Sequence, residues 1–354
     1  MARFLQPGRH VMKPRGALRR TLVLIAAAFA AAVAGCSRPA PASLPEEGGA
    51  APLPRIRFKT DWYPQAEHGG FYQAQAKGFY RDAGIDVDIM PGGPGVLVWQ
   101  LMMAGQCDIG VYRSDDIAVF VSRGLPLVAV GAYMEQDPQA ILVHEESPVR
   151  TFADLNGRTI MGVPGSTWID YLKSHYHIDF QLIPSNFGIA QFMADKNFIQ
   201  QCFVTNEPYF VRKNGGHPRT LLMSDSGFRP YRVLFTTRGY LRGHEPEVRA
   251  FVRASLRGWT DFMNGDPTPG KALIAKANPN MTDEFMDYSI QAMRDGNIVA
   301  GKPEDGDRIG LMTRKRLEEQ VNDLVQLKLI PQLIPVDNFV RFDLMPADLQ
   351  SGAR

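Results

Sequence analysis

The chain has 354 residues, of which 45% are apolar and 21% charged, and its formal net charge at pH 7 is +2. These proportions are ordinary for a soluble globular protein. No run of about 20 apolar residues is present, which excludes a membrane-spanning helix. The length exceeds the roughly 250–300 residues at which one hydrophobic core stops growing, so we expect two lobes.

A signal peptide is predicted at residues 1–35. An apolar segment of 14 residues, 21–34, follows Arg19 and Arg20 and is too short to span a bilayer. Small residues precede Cys36, as in the lipobox of bacterial lipoproteins, so we expect cleavage before Cys36 and lipid on its thiol. An ordinary signal peptide followed by a chance cysteine is the alternative, and Met12 competes with the first methionine as the start.

The exported part of the chain differs in charge from the whole. Removing residues 1–35 removes six basic and no acidic residues, which leaves a formal charge of −4. No basic patch remains that would favour nucleic acid as a partner. Residues 36–54 are rich in Pro, Ala, Gly and Glu without periodicity, and they predict a flexible tether.

Residues 56–94 predict a β-α-β unit. Apolar residues alternate with polar ones at the start of this stretch and again over 85–89, which is typical of strands. Between the two runs, one apolar helical stripe ended by Gly84 is formed by Tyr72, Ala76, Phe79 and Ala83.

The alternation of strands and helices continues along the chain and predicts two lobes. Residues 55–138 form the first part of lobe 1, residues 139–233 repeat its order as lobe 2, and residues 234–354 return to lobe 1 and add C-terminal helices. This pattern predicts an α/β fold in which each lobe is a mostly parallel sheet flanked by helices, with two crossing strands as the hinge. We interpret the C-terminal helices as cover and expect no site in them.

Polar and aromatic side chains collect directly after the predicted strands of both lobes. Open α/β sheets bind ligands beyond the carboxyl ends of their strands, so two such edges facing each other would enclose a small molecule. The predicted ligand-binding residues are Asp61, Trp62, Tyr63, His68, Ser114 and Asp115 in lobe 1, and Ser166, Trp168, Asn186 and Glu207 in lobe 2.

Structural roles compete with ligand contact at several of these positions. Ser114 and Ser166 are suited to be helix N-caps, His68 to hydrogen-bond the following turn, and Trp168 to be buried in lobe 2. Glu207 precedes a proline, which suits the first helical position. Its carboxylate is therefore expected to point into the cleft and accept hydrogen bonds from an amino group or a ring N–H.

Motifs of catalysis and metal binding are missing from the sequence. There is no GxSxG elbow, no Walker loop and no HExxH. Cys107 and Cys202 fall in strands of different lobes, so we expect neither a disulfide nor a zinc site. We predict no metal, no cofactor and no enzymatic activity.

Four segments resemble the solute-binding proteins of ABC transporters. They are DWYPQAEHGGFYQAQAKGFYRDAGIDVDI from residue 61, AGQCDIGV from 104, DLNGRTIMGVPGST from 154 and QQCFVTNEPY from 200. The branch includes binding proteins for sulfonates, nitrate and pyrimidine precursors of thiamine, and it implies the two-lobed type II periplasmic-binding fold. The DWYP and EHGG pairing is most similar to members that bind formylaminopyrimidine or hydroxymethylpyrimidine. That likeness implies that Trp62 and Tyr63 stack on a ring and that Glu207 accepts from ring amines.

The resemblance also implies a function and a location. We expect an exported, monomeric lipoprotein, anchored to a membrane and facing the periplasm or cell exterior, that delivers a planar nitrogenous small molecule to an ABC permease. Carboxylates along the cleft disfavour a sulfonate or nitrate ligand, and riboflavin is a further alternative. The fold also occurs in the fungal synthase that builds the thiamine pyrimidine. That enzyme has consecutive cysteines, which this chain lacks, so the enzyme hypothesis is the less favoured one.

Overall fold

The computed structural model describes residues 52–303 and 308–350. The predicted signal peptide (residues 1–35), the lipidated Cys36 and all but the last three residues of the predicted tether (36–54) lie outside these ranges. Within them, two five-stranded sheets are flanked by helices. Four strands of each sheet run in one direction and the fifth runs against them. The predicted two-lobed α/β fold class is confirmed.

The first sheet has the strand order β2-β1-β3-β10-β4. Its strands are β1 (Arg55–Lys59), β2 (Asp86–Met90), β3 (Ile109–Arg113), β4 (Leu127–Met134) and β10 (Arg232–Thr237). The reversed strand is β10, which pairs antiparallel with both β3 and β4. Because β10 comes about 100 residues after β4 in sequence, the chain returns to this sheet after building the other one.

The second sheet repeats this plan with the order β7-β6-β8-β5-β9. Its strands are β5 (Gln139–His144), β6 (Thr159–Gly162), β7 (Gln181–Pro184), β8 (Ile199–Phe203) and β9 (Pro218–Leu222). Here the reversed strand is β5. In each sheet the reversed strand is the first one that the chain forms after crossing from the other sheet. The crossings lead from β4 to β5 and from β9 to β10.

The helices cover the faces and ends of the two sheets. They are α1 (Gly69–Ala76), α2 (Phe79–Asp82), α3 (Val98–Met103), α4 (Ser114–Ser122), α5 (Thr167–Tyr176), α6 (Ala190–Ala194), α7 (Glu207–Lys213), α8 (Arg238–Asn264), α9 (Thr268–Ala277), α10 (Asp283–Asp295), α11 (Arg314–Gln326) and α12 (Ala347–Gln350). The single helix predicted after β1 is wrong, because Gly78 adopts a left-handed backbone conformation (φ 74°) that separates α1 from α2.

The packing of α1 against α8 explains the glycine pair of the EHGG segment. A Cβ atom added at Gly70 would lie 2.2 Å from the ring of Trp259, and one added at Gly69 would lie 2.2 Å from the ring of Phe262. Only glycine lets the two helices approach this closely. Both rings are fully buried, and each contributes about 1.5–3 kcal/mol or more of hydrophobic stabilisation. The α8 helix thus fixes the start of α1 and the residue before it, His68.

The C-terminal helices contact both lobes. An apolar cluster joins Tyr72 of α1, Tyr209 of α7 and Phe285 of α10, and Leu327, which follows α11, packs against the core of the second lobe. The C-terminal helices therefore pack on lobe 2 as well as on lobe 1, to which they were expected to return. That they carry no site stays a prediction.

Two further observations concern helix character and cysteines. Over residues 52–303 and 308–350, no helix is both long enough and apolar enough to cross a membrane. Cys107 and Cys202 are free, buried thiols.

Candidate functional site

Asp61 follows β1, and its carboxylate is held by His68, in the turn before α1, and by Arg232 of β10. His68 is almost completely buried, and its Nε2 lies 3.1 Å from Asp61 Oδ1. The other Asp61 oxygen accepts a short hydrogen bond from Arg232, the first residue of β10. Burial alone would raise the pKa of Asp61, but Arg232 and His68 outweigh it and hold this pKa well below its ordinary value. Asp61 is therefore a fixed carboxylate at neutral pH.

Arg232 continues this network into the crossing between the sheets. Its Nε donates to the Tyr133 hydroxyl at 2.9 Å, and its Nη1 lies 3.4 Å from Asp137 Oδ2. Asp137 belongs to the buried segment that leads from β4 to β5. One guanidinium thus ties the β1 loop to the first crossing. The sequence reasoning missed Arg232, although an arginine that opens the otherwise apolar strand RVLF is a signal that could have found it.

A second arginine, Arg113, ends β3 and holds two consecutive carboxylates. Its Nη2 lies 3.0 Å from Asp116 Oδ2 and its Nε lies 3.3 Å from Asp115 Oδ1. Its Nη1 also donates to Gln139 Oε1, at 3.4 Å, at the start of β5. Burial, reinforced by the charge of Asp115, raises the pKa of Asp116 to about 7 despite Arg113. Each of the two arginines thus pairs with two carboxylates.

Aromatic rings from the two lobes touch at the tips of the strands. The ring centroids of Trp62 and Phe187 are 5.3 Å apart with an interplanar angle of 49°, and Tyr63 lies edge-on to Trp62 at 5.7 Å. Phe187 is 52% exposed and has a left-handed backbone conformation (φ 58°). Both features are uncommon for a phenylalanine. Phe187 was not among the predicted residues, although its place in the polar loop after β7, beside Asn186, is the signal used for the others.

Two carboxyl groups from opposite lobes, Glu67 and Glu207, lie close enough for their charges to interact. Glu67, in the turn before α1, is buried and accepts a short hydrogen bond from the Thr205 hydroxyl of lobe 2. Glu207, two residues after Thr205, accepts from the backbone N–H of Phe203 at 2.8 Å. Burial raises the pKa of Glu67, and burial together with the nearby Glu67 raises the pKa of Glu207 to about 7. We call the group of Trp62, Phe187, Glu67 and Glu207 the aromatic cleft.

The remaining predicted residues take other positions. Ser114 does not cap α4, because its hydroxyl instead donates to Gln320 Oε1 at 2.9 Å and accepts from the Tyr231 N–H at 3.0 Å. Ser166 precedes α5 and donates to the Val163 carbonyl oxygen at 2.9 Å. Neither serine makes the side-chain cap that its position suggests.

Two more predicted residues lie in lobe 2. Trp168 is fully buried and stacks on Phe180, with 6.1 Å between ring centroids, and its indole N–H has no hydrogen-bond partner among the described residues. Asn186 is exposed and organises the loop that carries Phe187, because its Oδ1 accepts from the Gly188 N–H at 2.9 Å.

Asp115 faces a separate cavity of about 470 Å³, which we call the α11 cavity. Its walls come from the first turns of α4 and α5, the second crossing (residues 227–231) and α11. The lining side chains used below are Asp115, Thr167, Tyr171, Phe228, Tyr231 and Gln320. Among residues 52–303 and 308–350, no group of three or more His, Cys, Asp or Glu side chains is arranged to hold a metal ion.

Comparison with known proteins gives a family and a fold. The family model described as NMT1/THI5 like matches residues 65–268. Among solved structures, the chain resembles the periplasmic aliphatic sulphonate binding protein SsuA from Escherichia coli with a TM-score of 0.62 and 14% identity, covering 81% of this chain and 92% of that one. At this identity the likeness concerns the fold alone.

Three relatives are similar in sequence. The riboflavin-binding protein RibY of Chloroflexus aurantiacus is 24% identical, covering 75% of this chain and 76% of that protein. The 4-amino-5-hydroxymethyl-2-methylpyrimidine phosphate synthase of Uromyces fabae is also 24% identical, with 78% and 89% covered. The formylaminopyrimidine-binding protein of Halalkalibacterium halodurans is 26% identical, with 58% and 66% covered. Binding proteins and a synthase thus share this sequence pattern.

Proposed function

This chain belongs to the NMT1/THI5-like family, and we propose that it is the substrate-binding lipoprotein of an ABC importer, which captures a planar nitrogenous molecule in the aromatic cleft. The preferred ligand is a pyrimidine precursor of thiamine. The observation that carries the proposal is the convergence of both lobes on the cleft. Trp62 and Glu67 come from lobe 1, and Phe187 and Glu207 come from lobe 2.

The chemistry of the cleft supports a ring that bears N–H groups. Exposed aromatic rings offer flat faces for stacking, which contributes about 0.5–1.5 kcal/mol beyond buried area. Burial raises the pKa of both carboxyls, that of Glu207 to about 7, so Glu207 is about half protonated at neutral pH. A protonated carboxyl donates to a ring nitrogen and its other oxygen accepts from an exocyclic amine. Aminopyrimidines present that pair of groups side by side.

The names of the relatives support more than one ligand. The formylaminopyrimidine-binding relative favours a pyrimidine, and the riboflavin-binding relative, which matches more of the chain, favours a larger flat ring system. A sulfonate or nitrate is less favoured, because Arg113 and Arg232 are each paired with two carboxylates. An anion entering here would have to displace those pairs.

The synthase relatives raise an enzymatic alternative. This chain has three cysteines, at positions 36, 107 and 202, and therefore no run of consecutive cysteines like that of the fungal enzyme. A binder returns its ligand unchanged, whereas an enzyme does not. Incubation with the bound pyrimidine followed by mass analysis separates the two, and turnover without a permease would reject the transport proposal.

Export and lipid anchoring rest on the N-terminal sequence. The apolar segment 21–34 followed by Cys36 is typical of a lipoprotein signal. We expect the mature chain to partition into detergent and the Cys36→Ser variant to remain in the aqueous phase. Equal partitioning of the two chains would remove the anchor from the proposal.

Ligand screening tests the main claim. Residues 37–354 are tested by thermal shift against 4-amino-5-hydroxymethyl-2-methylpyrimidine, formylaminopyrimidine, riboflavin and alkanesulfonates. We expect the pyrimidines to raise the melting temperature, and we expect Trp62→Ala to abolish this shift while the unliganded melting temperature stays within a few degrees. A shift with sulfonates alone would contradict the claim that the ligand is a pyrimidine. A shift with riboflavin alone would mean that the ligand is a larger flat ring system.

A further inference from the structure

The α11 cavity contains an acidic side chain whose hydrogen-bonding capacity is unused. Asp115 is fully buried, and neither of its oxygens accepts a hydrogen bond from the described residues. Its nearest cation in the structure, Arg113 Nε, lies 3.3 Å from Oδ1 and is also hydrogen-bonded to Asp116 at 3.1 Å. A buried carboxylate normally receives several hydrogen bonds, so this one is poised to accept donors.

A second polar group in the same cavity is also incompletely used. Gln320 of α11 accepts from Ser114 through its Oε1, while its buried Nε2 donates to no acceptor in the described part of the chain. The cavity therefore offers the two oxygens of the Asp115 carboxylate as acceptors and the Nε2 of Gln320, from α11, as a donor. The Asp115 oxygens are complementary to the N–H groups of a bound cation, and the Gln320 Nε2 marks the position at which a further acceptor would add to the site.

The remaining walls favour a flat cation. Four acidic and three basic side chains line the α11 cavity. One of the basic groups, Arg316, is engaged with Glu135 and with the carbonyl oxygens of Glu135 and Arg229. The aromatic lining residues are Tyr171, Phe228 and Tyr231. Aromatic faces attract cations, and Tyr231 already does so here, because Arg316 Cζ lies 3.9 Å from the centroid of its ring. The volume of about 470 Å³ lies within the range of small-molecule sites.

We propose that the α11 cavity is a second binding site, for a small amine or amidine cation whose N–H groups donate to Asp115. The site is distinct from the aromatic cleft, because none of Trp62, Phe187, Glu67 and Glu207 lines it. Since its walls come from α4 of lobe 1, α5 of lobe 2 and α11, an occupant would touch both lobes at once.

Calorimetric titration of the full-length chain tests this proposal with benzamidine as the probe. Benzamidine is flat, cationic and rich in N–H donors, while benzamide and benzoate keep its shape without its charge. We expect benzamidine to bind, benzamide and benzoate to bind at least tenfold more weakly, and Asp115→Asn to weaken benzamidine at least tenfold. No binding of benzamidine, or equal affinity in Asp115→Asn, would overturn the proposal.

A charge-adding variant keeps the test decisive if Asp115→Asn fails to fold. Gln320→Glu retains the oxygen that accepts from Ser114 and places a second carboxylate at the position of the unused Nε2. We expect it to bind benzamidine at least threefold more tightly than the wild type, without a gain for benzoate, and an unchanged or weakened benzamidine affinity would count against the site.

A third variant separates the second site from the proposed function. Trp62→Ala is expected to leave benzamidine affinity within twofold of the wild type. Loss of benzamidine binding in that variant would place the probe in the aromatic cleft and reject the second site. Failure of every pyrimidine in the thermal-shift screen would reject the cleft ligand and leave the benzamidine result standing.

Discussion

Phe187 combines an exposed ring with a backbone conformation that phenylalanine rarely adopts. Its φ of 58° costs on the order of 1 kcal/mol, and its ring contacts Trp62 of the other lobe. We expect Phe187→Asn to weaken the cleft ligand about tenfold, because asparagine tolerates the left-handed conformation but offers no ring to stack. Titration of the ligand identified in the screen measures this.

The control for Phe187 is a second exposed apolar residue, Leu333, which is 59% exposed. Leu333→Asn should leave the ligand affinity unchanged, and both variants should keep the wild-type urea midpoint within the error of the measurement. An unchanged affinity in Phe187→Asn would exclude this ring from the site.

Glu207 makes stability depend on pH in a predictable direction. Burial raises its pKa from 4.5 to about 7 in the folded chain. Below pH 4.5 both the folded and the unfolded chain are protonated there. Between pH 4.5 and 7 the unfolded chain loses its proton first, so rising pH destabilises the fold, and the loss is complete above pH 7. We expect Glu207→Gln to gain stability relative to the wild type over this window, by up to about 3 kcal/mol.

Urea unfolding at pH 4.5 and pH 7.5 tests the Glu207 prediction. Glu145→Gln, at an exposed position, provides the matched control and should show no such trend. If wild type and Glu207→Gln differ in stability by the same amount at both pH values, folding does not raise the pKa of Glu207.

Elements whose signals are local could be predicted, and those that depend on distant partners could not. The strands and the loop after β1 follow from alternation and composition within about ten residues. Gly78, by contrast, sits inside an apolar stripe that continues across it, so the break between α1 and α2 is visible only in its left-handed backbone. Arg113 was missed although its partners follow it by two and three residues. Arg232 was missed because its carboxylate partners, Asp61 and Asp137, lie far from it in sequence. The roles of α10 and α11 were missed for the same reason, since an amphipathic stripe does not specify which lobe covers it.

The link from α10 to lobe 2 is a hydrogen bond that can be tested. Ser289 is fully buried and its hydroxyl lies 2.7 Å from the Thr205 carbonyl oxygen. Ser289→Ala would leave that buried acceptor without its donor, which costs about 1–3 kcal/mol. We therefore expect a lower urea midpoint, together with weaker binding of the cleft ligand, because Thr205 also donates to Glu67.

Ser174→Ala, on the exposed face of α5, is the control for Ser289→Ala. It should change the free energy of unfolding by no more than about 0.5 kcal/mol. If Ser289→Ala lowers stability but leaves ligand affinity unchanged, α10 stabilises the fold without shaping the cleft.

At the scale of the whole molecule, the two lobes are joined by more than the two crossings. Arg232 ties the β1 loop to the first crossing, and α10 is bonded to the loop after β8. Residues of α11, α4 and α5 line one cavity. Trp62 and Phe187 add a ring contact between the lobes. A planar ring stacked between these two rings would need a centroid separation of about 7 Å, twice the thickness of an aromatic ring. The separation in the structure is 5.3 Å, so the proposed stacking between both rings requires a more open arrangement.

Single-molecule energy transfer between dyes on the two lobes tests whether that open arrangement exists. Arg81 in lobe 1 and Lys196 in lobe 2 are exposed and can be replaced by cysteine in a chain that begins at residue 37. The native thiols should not compete for the dyes, because both are buried. Burial also raises the pKa of Cys107 to about 11, and it raises the pKa of Cys202 as well.

We expect two populations without ligand and one at saturation, because a ligand that touches both lobes binds the closed form more tightly and shifts the equilibrium by that difference in affinity. Phe187→Asn should increase the open population without ligand, since it removes the ring contact at the tip of the cleft. A single distribution that neither ligand nor Phe187→Asn changes would mean that the lobes do not move, and closure would then have no part in capture.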